Sequence, residues 1–185
     1  MLPVPVVANM KLDAKKLRKS NNALIKKHIS SINRLPIVLV LDNILDTYNI
    51  GSFFRLADAI SAVHVYLCGP VVTPPNIKIH RSSVGTWKWV PWTHYQDSYQ
   101  CVSDLKKQGY QIVSCELGKN SIPYNKAKYT PPLALVAGSE STGVSNHILK
   151  ISDITVEIPM LGINKSLNTL IATSIIAYQA ISQIN

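Results

Sequence analysis

The stretch Thr155-Val156-Glu157-Ile158-Pro159-Met160-Leu161-Gly162-Ile163-Asn164-Lys165-Ser166-Leu167-Asn168, with the apolar run that follows it to Ile184, decides the fold. It reads as a short strand, a polar loop containing glycine, and a helix. Ser166 or Asn168 can cap that helix, because either side chain accepts from free backbone N–H groups of the first turn. Leu167, Leu170, Ile171, Ile175 and Tyr178 recur at helical spacing. Ala172, Ile176 and Ala180 widen the stripe, which predicts a helix buried on more than one side. Such a unit is either an ordinary strand-to-helix closure of a sheet or a ligand crevice at the carboxyl ends of its strands. Asn164, Lys165, Ser166 and Asn168, gathered where the strand ends and the helix begins, argue for the crevice.

Upstream, the same alternation recurs. Ile37-Val38-Leu39-Val40-Leu41, opened by Pro36, is a five-residue apolar run, as expected of a strand covered on both faces of a parallel sheet. A polar loop is expected over 42–51, a helix from Ser52, and a second strand from Ala62 to Cys68. Residues 71–81 read as loop, broken by Pro74-Pro75. A helix over 98–108 ends at Gly109. Strands follow at Tyr110–Cys115 and Leu133–Ala137, then a short helix from Val144 to Lys150. The expected fold is α/β, a mainly parallel sheet with helices on both faces. Trp87, Trp89 and Trp92 are either core or interface packing or base-stacking platforms; packing is the commoner use.

The chain has 185 residues, 46% hydrophobic and 16% charged, which fits one globular domain and not a disordered chain. No apolar run is long enough to span a membrane. Met1 to Ala8 lacks a basic lead-in and carries two prolines, unlike a signal peptide. Cys68, Cys101 and Cys115 form no CxxC pair, so three reduced thiols and a cytoplasmic location are expected. The five histidines are scattered without ligand spacing, so no metal site is expected.

Charge divides the chain. Residues 1–35 hold eight of the nineteen lysines and arginines against Asp13 alone, +7 of a total of +9. Residues 11–32 read as a basic amphipathic helix with a thin stripe of Leu12, Leu17, Leu24, Ile25, His28 and Ile32. Two segments follow: a basic helical extension over 1–35 and a folded domain over 36–185. The extension is either a solvated surface helix or a phosphate-binding arm for a polyanion.

Three polar loops, each after a buried strand, carry the chemistry. The first is Asn49-Ile50-Gly51-Ser52-Phe53-Phe54-Arg55, where a guanidinium fork one helical turn past a glycine can hold phosphate. The second, Gly138-Ser139-Glu140-Ser141-Thr142-Gly143, is glycine-rich but lacks the lysine of a P-loop. The third is the C-terminal loop. No GxGxxG supports a dinucleotide site, and no GxSxG supports an esterase elbow.

In this order the three loops resemble the SpoU (TrmH) family of RNA ribose 2′-O-methyltransferases, of the SPOUT superfamily. Asn49-x-Gly51-x-x-x-Arg55 is similar to the family's first motif. Gly138-x-Glu140-x-x-Gly143 is similar to the second, and Ile158-Pro159-x-x-Gly162-x-x-x-Ser166-Leu167-Asn168 to the third. The resemblance covers about residues 36–182. It implies an S-adenosylmethionine-dependent enzyme with a deep C-terminal trefoil knot, which unaided topology rules would not suggest. It also implies a homodimer with the active site near the subunit interface. By position, Gly138, Ile158 and Leu167 would hold the cofactor and Leu117 would line the adenosine pocket. Asn49, Arg55, Glu140, Ser166 and Asn168 match the family's functional polar positions. The implied substrate is RNA, with tRNA favoured over rRNA. Two other readings stand beside it: a catalytically silent RNA-binding module on this fold, and a small-molecule α/β enzyme.

Overall fold

The computed structural model describes residues 32–184; the basic stretch 11–31 lies outside them. The elements are β1 (Leu35–Asp42), α1 (Thr47–Ala59), β2 (Ala62–Cys68), α2 (Ile77–Ser83), a 3-10 turn (Thr86–Lys88), β3 (Trp92–Tyr95), α3 (Ser98–Lys107), β4 (Gln111–Cys115), β5 (Ile122–Pro123), β6 (Leu133–Gly138), α4 (Asn146–Leu149), β7 (Ile154–Glu157) and α5 (Thr169–Ile184). Seven strands form one sheet in the order β3-β2-β1-β6-β4-β7-β5, and every pair in it is parallel. All the strands therefore end at one edge, where their exit loops meet.

The sheet is covered on both faces, and β1 shows why its residues suit that place. Ile37, Leu39 and Leu41 point into one core cluster with Phe53 and Phe54 of α1 and Ile176, Ala177 and Ala180 of α5. Val38 and Val40 point into the other, with Cys101, Val102 and Leu105 of α3 and Ile148 of α4. A central parallel strand has no solvent side, so both sets of alternating side chains must be apolar. Phe53 and Phe54 are fully buried, each stabilising the fold by about 1.5–3 kcal/mol.

Two local expectations are corrected. The helix after β1 begins at Thr47, not Ser52, because the Asp46 side chain accepts from Tyr48 N and caps it. Asn49 and Gly51 thus lie inside α1. Gly51 is there for space: a Cβ would come within 2.7 Å of Ile79 O, where α1 and α2 touch. Residues 77–83 are helical rather than loop, because Asn76 accepts from Lys78 N and Ile79 N.

The tryptophans pack. Trp92 meets Phe54 edge-on at 6.4 Å. Trp87 Nε1 donates to His80 Nδ1 at 3.2 Å, and Trp89 Nε1 donates to Asp58 Oδ1 at 2.6 Å. Burial pushes the Asp58 carboxyl up, opposed by that hydrogen bond and by Arg34. Arg34, grouped by charge with the N-terminal stretch, is tied to the domain: its guanidinium donates to Ala62 O at 2.8 Å and Trp89 O at 3.0 Å. The three cysteines are free thiols.

Candidate active site

The exit loops of β4, β6 and β7 and the start of α5 surround a cavity of about 470 Å³. Gly138, at the end of β6, lines it. A Cβ on Gly138 would overlap the Gly143–Val144 peptide, which folds back across it. Only glycine lets the 138–144 loop close so tightly. Within the loop, Gly143 N donates to Ser139 O at 2.9 Å, and Thr142 N donates to Ser139 Oγ at 3.2 Å.

α5 starts against this loop. Thr169 Oγ1 donates to Gly138 O at 3.0 Å. Of the two expected caps, Asn168 is the one that forms: its Oδ1 accepts from Leu170 N at 3.0 Å and Ile171 N at 3.3 Å. Its Nδ2 donates to Asn49 Oδ1 at 3.3 Å, and Asn49 Nδ2 donates in turn to Glu140 Oε1. A polar chain thus runs from the third loop through the first to the second, between residues up to 119 positions apart.

Leu117, Gly138, Ile158 and Leu167 all line the cavity, as do Glu140, Ser166 and Asn168. Asn49 joins at its edge through Asn168 and Glu140. Ser166 is exposed on the cavity rim. Arg55 stands apart. It is exposed on α1, and no hydrogen bond among the described residues joins it to Asn49, Glu140 or Asn168. Nor does it pair with Asp58, whose oxygen is taken by Trp89. It lies four residues after Gly51 and three before Asp58, so the same side of α1 that meets α2 and Trp89 carries it.

Sequence reasoning passed over two residues at the site, Asp42 and Glu116. The carboxylate of Asp42 accepts from Ser145 N at 2.7 Å, and that of Glu116 accepts from Val144 N at 2.6 Å. The available signal was an acid standing at the end of an apolar strand.

The electrostatics of the cavity are distinctive. Glu116, Glu140 and Glu157 line it, and among the described residues no lysine, arginine or histidine does, in a chain of net charge +9. Apolar walls from Leu117, Ile158 and Leu167 flank these carboxylates. The arrangement suits a ligand that combines a flat apolar ring with positive charge. Among the described residues, no three His, Cys, Asp or Glu side chains converge to hold a metal ion, and no helix is long and apolar enough to cross a membrane.

Residues 36–178 match the SpoU rRNA Methylase family. The chain is 33% identical, over 78% of its length and 68% of the relative's, to the tRNA (guanosine(18)-2'-O)-methyltransferase of Aquifex aeolicus strain VF5. The crystal structure of the A. aeolicus TrmH/SpoU tRNA modifying enzyme superposes with a TM-score of 0.74 at 30% identity, covering 92% of this chain and 81% of that one. The SpoU methyltransferase AviRb from Streptomyces viridochromogenes, solved in complex with the cofactor AdoMet, superposes with a TM-score of 0.71 at 26% identity, covering 85% of this chain and 64% of that one. The chain belongs to the SpoU rRNA Methylase family.

Proposed function

We propose that this chain is an S-adenosylmethionine-dependent RNA methyltransferase that transfers a methyl group to a ribose 2′-OH, with tRNA as substrate. The observation that carries the reading is the cavity: the second and third family motifs line it, the first reaches its edge through Asn49, and its described lining presents carboxylates and aliphatic walls. S-adenosylmethionine, when bound, supplies an electrophilic methyl on a sulfonium. The residues present fit it: Leu117, Ile158 and Leu167 offer apolar surface to the adenine, Gly138 offers backbone, and the surrounding glutamates favour the positive charge.

The polar chain Asn168–Asn49–Glu140 prepares the substrate side of the cavity. A ribose oxygen must lie in line behind the methyl, and holding it there accounts for a large share of the rate. Asn49, Ser166 and Asn168 are placed to bind the ribose or its phosphate, and Glu140 orients the Asn49 amide. Arg55 takes an RNA phosphate and acidifies the 2′-OH. A guanidinium, with a pKa above ~12, is a poor base, so the proton leaves to a phosphate oxygen or water.

The RNA reading draws on charge outside the cavity. From residue 59 to 96 there is no aspartate or glutamate, while Lys78, Arg81 and Lys88 are exposed on α2 and the 3-10 turn, which pack against the helix that carries Arg55. This surface offers phosphates a positive margin outside the cavity. We further infer a homodimer through α5, a cytoplasmic location, and the knot of the SPOUT superfamily. The return of residues 158–168 to the end of β6, where Thr169 meets Gly138, supports the knot.

The test is methyl transfer from labelled S-adenosylmethionine to purified tRNA and rRNA, with nucleoside mass spectrometry of the product. A 2′-O-methylated nucleoside in tRNA is expected. Label in rRNA alone would move the substrate to rRNA. Calorimetric cofactor binding without transfer to either RNA would mark a silent module.

A further inference from the structure

Two carboxylates, one on each side of β6, grip the loop that carries Glu140. β6 lies between β1 and β4 in the sheet. Asp42 ends β1, and Glu116 directly follows β4. Asp42 Oδ2 accepts from Ser145 N at 2.7 Å, and Glu116 Oε2 accepts from Val144 N at 2.6 Å. Two consecutive backbone N–H groups of the returning loop are thereby taken from opposite sides.

The remaining oxygens are used just as specifically. Asp42 Oδ1 accepts from Asn43 Nδ2 at 2.7 Å, in the segment that leads to Asn49. Glu116 Oε1 accepts from Leu117 N at 3.0 Å, in the wall of the cavity. Each acid therefore joins its own exit loop to the Glu140 loop. Asp42 is fully buried. At Gly143, with φ of +68°, any Cβ would collide with Glu116 Oε2, so glycine makes the room for this approach.

We propose that Asp42 and Glu116 are positioning residues with separate duties. Asp42 fixes the Glu140 loop against the entrance to α1 and so sets the Asn49–Glu140 contact. Glu116 fixes the same loop against Leu117 and so sets the width of the cofactor cavity. The proposal rests on the methyltransferase reading above. The chemistry explains why acids stand here. Each group accepts on both oxygens from N–H donors, and an amide has one acceptor oxygen. Asp42→Asn or Glu116→Gln would turn one hydrogen bond of each pair into two opposed N–H groups.

The test measures cofactor Kd by calorimetry, kcat and KM for tRNA, and Tm, in the full chain and in both variants. Glu116→Gln is expected to weaken cofactor binding about tenfold, about 1.4 kcal/mol. Asp42→Asn is expected to leave cofactor Kd within about threefold and to lower kcat at least about tenfold, again about 1.4 kcal/mol in the barrier. If Asp42→Asn does not fold, Ser145→Pro removes the N–H that Asp42 accepts, at a φ of −58° that proline adopts, and carries the same expectation. Variants that lose Tm in parallel with unchanged Kd and kcat would reduce both acids to scaffold and overturn the proposal. So would an equal change of Kd and kcat in both. A wild-type chain that binds no cofactor would instead overturn the methyltransferase reading, and this inference with it.

Discussion

The side-chain amide of Asn49 donates to the carboxylate of Glu140, 91 residues further along the chain, while its oxygen accepts from Asn168. The orientation of each amide is set by its neighbour. Glu140 can only accept, so Asn49 must turn its N–H toward it, and Asn168 must then offer its own N–H to the Asn49 oxygen. Asn168 has its oxygen left over for capping α5. One side chain therefore serves both the helix and the site.

Asn168 can be tested for these duties separately. Asn168→Asp keeps an acceptor for the cap but sets a carboxylate against the Asn49 oxygen. Stability should change by less than about 0.5 kcal/mol, whereas Asn168→Ala should cost about 1 kcal/mol. Both variants should lose methyl transfer. Denaturant unfolding alongside turnover checks this, and full activity in Asn168→Asp would contradict the amide chain.

Arg55 should affect transfer without affecting the cofactor, because it lies outside the cavity lining. Arg55→Ala should abolish transfer and leave calorimetric cofactor affinity unchanged. Arg55→Lys should also be poor, since an ammonium does not reproduce a planar fork. Turnover like that of wild type in Arg55→Ala would remove it from the mechanism.

α5 should be a subunit interface. Ile171, Ile175 and Tyr178 remain 50%, 36% and 55% exposed on a helix whose other side is core, and Tyr178 borders a shallow hollow with Tyr124 and Gln179. A two-fold contact would bury this face against its own copy. Light scattering at micromolar concentration should give twice the chain mass, and Ile175→Asp should give a monomer. A monomeric wild-type mass would refute the dimer.

Truncation should separate RNA capture from cofactor binding, but the cut must spare Arg34, whose guanidinium holds Ala62 O and Trp89 O. Deleting residues 1–31 should weaken RNA binding and flatten its salt dependence by roughly 0.7–0.9 in log–log slope per lost phosphate contact. Cofactor affinity and Tm should persist. An unchanged RNA affinity and slope would leave Lys78, Arg81 and Lys88 as the whole footprint.

Asp58 should leave a signature in the pH dependence of stability. Its folded pKa is raised by burial, so the folded state holds its proton more tightly than the unfolded state. This contribution is fully present below the ordinary carboxylate value and is lost as pH rises through the elevated one. Wild type should thus lose stability relative to Asp58→Asn across that window and track it at neutral pH. Parallel curves throughout the acid range would exclude the effect.

The sequence made the three motifs legible because each sets polar residues at fixed spacing after a buried strand, although the first proved to lie within α1 and not in a loop. Ile37 to Leu41 likewise declared a strand with two covered faces. The start of α1 was less visible: Asp46 caps it from within a polar run, where it looks like any loop acid. α2 was hidden by Pro74-Pro75, although Asn76 is a proper cap. Strand order was not legible, because it depends on which strands pair across many residues rather than on any local pattern. For the same reason Asp42 and Glu116 went unnoticed. Their partners are 103 and 28 positions away, and nothing in Leu41-Asp42-Asn43 distinguishes a bridging acid from a turn residue.

The cavity has walls from Cys115 to Ile176 and cannot exist until the last of them is in place. Chains emerge from the ribosome with the N-terminus first. Most of the sheet, β1 to β6, is therefore available before Ile158, Leu167 or α5 has been synthesised. A nascent chain that stops before β7 would lack the Ile176, Ala177 and Ala180 cover of β1 as well as a place for a cofactor. Ligand that binds only the finished fold stabilises it by mass action. S-adenosylmethionine would then mark completed molecules, and its cellular concentration would influence how much of the protein survives as well as how fast it works.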